Sequence, residues 1–295
     1  MSASGFGGDD LSQSKISSAP ILVLGASGTI GRSLVQFLYE AGQPVRAGFH
    51  ARPLRLAGVE DVAIDVLTGA GMAEALQGVE KLFLLTGDSA DQAQAELRIV
   101  DMAQRAEVKH IVKLSAFGAE EDAYMIGRFH RAVEQVIEQS GMSYTFLRPN
   151  CFMQNFVFYY GNAIRSARNV RLPRGDAPMA FVDTRDIARV AYHTLTDPSH
   201  TNKAYELSGP EALSYAQATA LLSRALGESI TYTSLSEEEA RAGMAPGEHL
   251  ERFLDLYRFY RSGRAGRVTT AVQDVTGQPA SSFETFAREY VDQLR

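Results

Sequence analysis

Ile21-Leu22-Val23-Leu24-Gly25-Ala26-Ser27-Gly28-Thr29-Ile30-Gly31 is the stretch that decides how this chain folds. Four apolar residues in a row fit a buried parallel strand, and glycines spaced three apart fit a tight turn. Past the turn, Ile30, Leu34, Val35 and Leu38 fall on one helical face. A strand, a glycine turn and a helix start are what a dinucleotide pyrophosphate requires. The backbone approaches the phosphates closely there, and unpaired amides at the helix N-terminus face the negative charge. The spacing is G-x-x-G-x-x-G and not G-x-G-x-x-G, so the strand before and the helix after carry the reading.

About twenty residues past such a turn, an Asp or Glu ending the second strand meets the ribose of a cofactor that lacks the 2′-phosphate. Here Pro44-Val45-Arg46-Ala47-Gly48-Phe49 runs into His50-Ala51-Arg52-Pro53, and no acidic residue lies between Glu40 and Glu60. Arg32, His50, Arg52 and Arg55 supply cationic or potentially cationic groups instead. A guanidinium holds a 2′-phosphate with two charge-assisted hydrogen bonds, whereas a carboxylate repels it. The missing acid and the present bases agree on NADP(H) over NAD(H). A merely solvated arginine-rich loop is the plainer alternative.

The 295 residues suffice for one large α/β unit with a modest second lobe, or for two tightly joined lobes. A hydrophobic content of 45% fits a soluble enzyme-sized protein. Cys151 is the single cysteine, which excludes an internal disulfide or a cysteine zinc site and points to the cytoplasm. No His/Asp/Glu spacing suggests another metal site. Residues 1–18 are Ser/Gly-rich and lack a cationic start followed by an apolar core, so they read as a flexible tail and not a signal peptide. No apolar run has the length of a membrane span.

The net charge of −6 argues against nucleic acid as a partner. Two arginine tracts, Arg165/Arg168/Arg171/Arg174 and Arg252/Arg258/Arg261/Arg264/Arg267, read as cationic helix ends with their exit loops. The expected partner is a small-molecule substrate, and the expected assembly a monomer or homodimer.

Strands are predicted at Ile21–Leu24, Val45–Phe49, Val62–Ile64, Lys81–Leu85, His110–Leu114 and Tyr144–Leu147. Helices fall between them, near Gly31–Glu40, Met72–Leu76, Asp91–Ala106 and Tyr124–Gln139. This alternation means a doubly wound parallel sheet, the Rossmann form of the α/β class, over residues 19–155. Residues 156–295 read as a smaller, mostly helical lobe that caps the substrate and is partly interleaved with the first. In it, Asp183 or Thr184 caps a helix, Ser236 and Glu239 form a capping box, and Leu250, Phe253, Leu254, Tyr257 and Tyr260 recur at helical spacing. Such an aromatic stripe more often packs than binds.

Several stretches together resemble the NmrA-like group of atypical short-chain dehydrogenases, which includes quinone reductase-like and triphenylmethane reductase-like proteins. They are the glycine turn, Ser140-Gly141-Met142-Ser143-Tyr144-Thr145-Phe146-Leu147-Arg148-Pro149, Phe152-Met153-Gln154-Asn155, Phe181-Val182-Asp183-x-Arg185-Asp186-Ile187-Ala188 and Tyr205-Glu206-Leu207-Ser208-Gly209-Pro210. The resemblance implies an NADP(H) site in which Gly25, Ser27, Gly28, Thr29, Ile30 and Gly31 hold the pyrophosphate, and His50 and Arg52 hold the 2′-phosphate. Asp65 and Val66 flank the adenine, while Thr86, Gly87, Ser115 and Ala116 run along the ribose and nicotinamide. Phe117, Asn150, Phe152, Met153 and Asn155 line the substrate side. Arg148 and Asp186 are expected to tie the lobes together.

One departure bears on the chemistry. Short-chain dehydrogenases use Tyr-x-x-x-Lys after the fifth strand, but here Ile126 takes the Tyr position and His130 the Lys position, counting back from Glu134. Tyr124 lies two residues early. His130 sits at the edge of the stripe Ile126, Phe129, Val133 and Ile137, where Glu134 is placed to pair with it. It is either a satisfied boundary histidine or the catalytic polar contact or acid. Without a phenol acid, hydride transfer from NADPH to an electron-poor quinone, enone, iminium or dye-like molecule fits better than alcohol–ketone exchange. The rivals are a non-enzymatic NADP(H) sensor and a redox-neutral enzyme. Cys151 reads as buried filler.

Overall fold

The computed structural model describes residues 19–87 and 89–295. The stretch read as a flexible tail, residues 1–18, lies outside the described residues. The chain runs β1 (Ile21–Val23), α1 (Thr29–Glu40), β2 (Val45–Phe49), β3 (Glu60–Ala63), α2 (Met72–Leu76), β4 (Lys81–Leu84), α3 (Gln92–Arg105), β5 (His110–Leu114), α4 (Met125–Gln139) and β6 (Ser143–Pro149). It continues with α5 (Asn155–Phe158), α6 (Gly161–Ala167), β7 (Asn169–Leu172), α7 (Thr184–Thr196), β8 (Lys203–Leu207) and α8 (Tyr215–Leu226). Last come β9 (Thr231–Ser234), α9 (Glu237–Ala242), α10 (Glu248–Arg261), α11 (Ala271–Thr276) and α12 (Phe283–Tyr290).

Seven strands form one sheet in the order β3-β2-β1-β4-β5-β6-β8, and every pairing is parallel. The expected doubly wound fold is therefore present, with strand edges shifted by one or two residues. Strand order reverses between β1 and β4, which opens a crevice beyond their carboxyl ends. On one face, Ile30, Leu34, Val35 and Leu38 of α1 meet Ile187, Val190, Ala191 and Leu195 of α7. Burying each such leucine contributes roughly 1.5–3 kcal/mol. The stripe therefore fixes where α1 lies, and with it the glycine turn. The other face is covered by α2, α3 and α4 around Ile99, Val100, Val133 and Ile137.

The second half of the chain divides its loyalties. The Asp183 carboxylate caps α7 by accepting the Arg185 amide at 2.8 Å, and α7 then packs on α1 and the central strands. β8 extends the sheet, and α11 packs on α7 and β8. The rest gathers around Phe156, whose ring centre lies 5.1–5.7 Å from those of Phe283, Tyr215, Phe181 and Tyr160. A two-stranded parallel ribbon, β7-β9, binds this lobe and was not predicted. Its strands are four residues each, and although Asn169-Val170-Arg171-Leu172 alternates, with Val170 and Leu172 buried, so short a run is a weak signal.

Three polar expectations change. Arg148 does not join the lobes: its guanidinium grips Glu134 of α4 at 2.8 and 3.0 Å and Glu120 at 2.5 Å, fastening β6 to the segment that follows β5. Asp186 accepts the Ser281 amide at 2.7 Å, which ties α7 to the segment before α12 within residues 156–295. Arg174 is no solvated exit-loop residue. It is buried against the rings of Tyr215, Tyr257 and Tyr260, at 4.6, 4.6 and 4.1 Å from their centres. Among the described residues, no helix is long and apolar enough to cross a membrane.

Candidate active site

A cavity of about 610 Å³ opens beyond the carboxyl ends of β1, β4, β5 and β6. Gly25, Gly28, Thr29 and Ile30 line one side of it, Thr86 and Gly87 follow from β4, and Ser115, Ala116 and Phe117 from β5. Asn150, Cys151, Phe152 and Asn155 come from the segment after β6, and Leu256, Phe259 and Tyr260 from α10.

The turn after β1 suits a diphosphate. Gly25 holds φ at +66°, a region that strains side-chain-bearing residues, and its carbonyl accepts the Gly28 amide at 2.9 Å. A Cβ on Gly31 would lie 2.2 Å from the Gly25 oxygen, so only glycine lets α1 start this close to the turn. No side chain caps α1 and no acidic residue occupies its first turn. The amides at its start are left for an anion, and the helix dipole favours one. These residues fit a dinucleotide cofactor.

Ala26 donates its amide to Gly48 at 3.2 Å, which sets the loop after β2 beside that turn. His50 and Arg52 are exposed on this loop, and Arg52 has no hydrogen bond or ion pair among the described residues. The Asp61 carboxylate pins the loop by accepting the amides of Leu54 and Arg55 at 3.0 and 2.8 Å. That anion is thereby occupied, and Arg52 remains available to a 2′-phosphate. Asp65 caps its own turn, accepting the Leu67 amide at 2.9 Å. Ser27, Gly31, His50, Arg52, Asp65 and Val66 stand outside the cavity wall itself.

Met153 departs from expectation. Its amide binds the Val182 carbonyl at 2.9 Å, and the side chain turns into the aromatic core, 1% exposed, instead of lining the cavity. Asn150 reaches the wall, but its amide group is engaged with Ala265 O and Cys151 N, both at 2.8 Å.

The polar groups behind the wall rearrange the expected partnerships. Ser115, expected along the ribose and nicotinamide, donates its hydroxyl to Glu134 at 2.6 Å. Glu134 also takes Arg148 and Arg131, so it does not pair with His130. Instead His130 Nδ1 stands 3.1 Å from Nζ of Lys113, which is bonded to Glu96. Thr86 in turn donates to Glu96 at 2.6 Å. Desolvation first, and the Lys113 ammonium second, push the His130 imidazole down to about 4. With that shift the ring, which lines the cavity, is uncharged at neutral pH and is no cationic acid.

Tyr124 lines the cavity but has its hydroxyl engaged elsewhere. Its hydroxyl donates to Phe117 O at 2.8 Å, its ring stacks on Phe259 at 4.3 Å, and burial raises its pKa far above the ordinary phenol value. Cys151 is buried, with Sγ 3.7 Å from both Nη atoms of Arg174.

Sequence reasoning missed Lys113, Glu96 and the α10 wall. The signal for Lys113 was present: a lysine within the apolar strand His110-Ile111-Val112-Lys113-Leu114 has no solvent to reach.

A family model for the NmrA-like family matches residues 17–286. The chain belongs to the NmrA-like family. This NmrA-like protein is 37% identical over 279 residues to the NAD(P)H azoreductase of Xenophilus azovorans, covering 92% of this chain and 97% of that one. It is 39% identical over 282 residues to the (4-alkanoyl-5-oxo-2,5-dihydrofuran-3-yl)methyl phosphate reductase of Streptomyces griseus, covering 92% and 98%. Among solved structures it resembles the Citrobacter sp. triphenylmethane reductase complexed with NADP(H), at a TM-score of 0.78 and 25% identity, covering 94% of this chain and 100% of that one.

Proposed function

We propose that this NmrA-like protein is an NADPH-dependent reductase of uncharged, planar, conjugated acceptors, with quinones, enones and azo compounds as the substrate class. One observation carries the reading: the cavity joins an anion-binding glycine turn to a wall of Phe117, Phe152, Phe259 and Tyr260, and none of its described lining side chains is an Asp, Glu, Lys or Arg. The relatives named as an azoreductase and a furanone phosphate reductase support a conjugated acceptor, and its lack of charge rests on the lining alone.

When bound, NADPH supplies a hydride. The aromatic wall orients a flat acceptor and keeps water off its face. The neutral His130 ring donates a hydrogen bond to the acceptor oxygen or nitrogen, where negative charge grows. Solvent then completes protonation, so neither Tyr124 nor a Tyr-Lys pair is needed. A cationic acceptor finds no lining carboxylate to offset its charge.

The test is loss of absorbance at 340 nm when NADPH is mixed with a panel of uncharged quinones, enones and azo compounds and a cationic triphenylmethane dye. The uncharged members are expected to turn over faster. His130→Ala is expected to lower kcat on the order of a hundredfold to a thousandfold, the range for losing one preorganised donor, with NADPH affinity retained. Tight NADPH binding with no turnover of any acceptor would overturn the reading in favour of a cofactor sensor.

A further inference from the structure

We infer that Lys113 and Glu96 are a buried positioning pair that fixes the tautomer of His130, holding its Nε2–H toward the cavity. Lys113 lies in the middle of β5 and is 0% exposed. Its Nζ meets three acceptors: the Glu96 carboxylate, Leu114 O at 3.1 Å and His130 Nδ1 at 3.1 Å. An ammonium has three N–H groups and no lone pair, so it donates to each. Nδ1 therefore accepts, and the ring proton of the neutral imidazole resides on Nε2.

Glu96, 1% exposed on α3, completes the arrangement by accepting from Thr86 at 2.6 Å and Gln92 at 3.3 Å. Thr86, Gln92 and His130 all line the cavity, whereas Lys113 and Glu96 stand behind it. Fold stability does not account for this pair. Desolvating two ions costs several kcal/mol each, and well-packed apolar residues of similar volume generally serve a fold as well or better. What the pair does supply is a fixed donor at the cavity wall.

The same surroundings decide the ring's charge. Desolvation, Lys113 of β5 and Arg252 of α10 oppose the imidazolium, and Glu96 of α3 and Glu134 of α4 favour it; the opposing side prevails. Glu96 itself is raised by desolvation and lowered further by Lys113, His130 and its hydrogen bonds, for a net lowering that keeps it anionic. Lys113 and Glu96 touch no cavity-lining space and are positioning residues, acting through His130.

The tautomer does not depend on the reductase reading, although its effect on turnover rests on it. Nitrogen-15 NMR of the His130 ring in the full-length protein, assigned with His130→Gln, tests the first directly. The expected spectrum shows the Nε2–H tautomer, unprotonated from pH 8 to pH 5. An Nδ1–H tautomer, or titration near the ordinary 6.5, overturns the inference without any variant. In the double variant Lys113→Met/Glu96→Leu, chosen because it removes both charges together, the ring is expected to lose its fixed tautomer, while desolvation, the largest cause of its low pKa, keeps it uncharged. The kcat should then fall in the double variant without a new step between about pH 5 and pH 7, because a ring of mixed tautomer presents its N–H to the cavity only part of the time. An unchanged tautomer in that variant overturns the inference. Absence of NADPH oxidation in both proteins counts against the reductase reading alone, because the ring spectra still report on the pair.

Discussion

Gly31→Ala is expected to weaken NADPH binding by about a hundredfold or more, equivalent to roughly 3 kcal/mol. The added Cβ would meet Gly25 O at 2.2 Å, Gly25 C at 2.7 Å and the Ala26 Cα at 2.8 Å, all of them backbone atoms. None of these is the far end of a side chain, so no rotamer change relieves the clash. α1 must retreat from the turn by on the order of 1 Å to regain ordinary contact distances. That movement opens the seat in which turn and helix amides converge on one anion. The stripe Leu34, Val35 and Leu38 still packs on α7, so the fold should survive with a stability loss of about 1–3 kcal/mol, the usual scale of overpacking. Calorimetric titration with NADPH and urea unfolding measure the two effects separately. A dissociation constant within threefold of wild type would show that the close start of α1 plays no part in holding the cofactor.

The second large effect is on stability. Arg148→Met leaves Glu134, which is 0% exposed, with Ser115 and the half-exposed Arg131 as its remaining partners. Removing one partner of a buried pair typically costs 3–5 kcal/mol, and the surviving Arg131 contact places this variant near about 3 kcal/mol at pH 7. The sign with pH follows from Glu134. Desolvation raises its pKa, but the Arg148 hydrogen bonds and charge outweigh that, so the folded value lies below the ordinary 4.5. A depressed carboxylate contributes stability above its unfolded pKa and loses that contribution as pH falls through the folded one. The gap between wild type and Arg148→Met should therefore be full at pH 7 and close progressively below about pH 4.5. Urea midpoints across that range check it, and a gap independent of pH would mean that Arg148 acts by packing alone.

The fold was legible because its signals are local and periodic. The apolar run before Gly25 and the stripe after it each fit one kind of element, and five more strands with three more helices among them leave a parallel sheet as the natural arrangement. The glycine turn was legible for the same reason, since strand, turn and helix start are contiguous. The substrate side was less so. Met153 sits between Phe152 and Asn155, which do reach the cavity, and only the bond from its amide to Val182 O turns it inward. Helical spacing on α10 marks a stripe without saying what the stripe meets. Leu250 and Leu254 pack with Ala240 in a small cluster, while Leu256, Phe259 and Tyr260 face the cavity.

His130 was found, but its partner was not. Glu134 is its neighbour at helical spacing, and local geometry favours such pairs. Arg148 and Ser115 claim that carboxylate from β6 and the loop after β5, contacts that only tertiary packing creates. Lys113, whose charge in an apolar strand demanded a buried anion, reaches back to a helix laid down before it in the chain. Arg174 carries a similar lesson: regular spacing with other arginines suggested a solvated face, yet three tyrosine rings enclose it.

The central claim is that the uncapped start of α1 and the loop bearing Arg52 together seat NADP(H) in preference to NAD(H). Titration of the purified wild-type protein with NADPH and with NADH, beside Arg52→Glu, tests it most directly. The expected result is tighter binding of NADPH than of NADH, with Arg52→Glu weakening NADPH by about 1–3 kcal/mol through a lost charge-assisted contact and added repulsion. Equal or tighter binding of NADH by the wild type, or no affinity for either nucleotide, would contradict it.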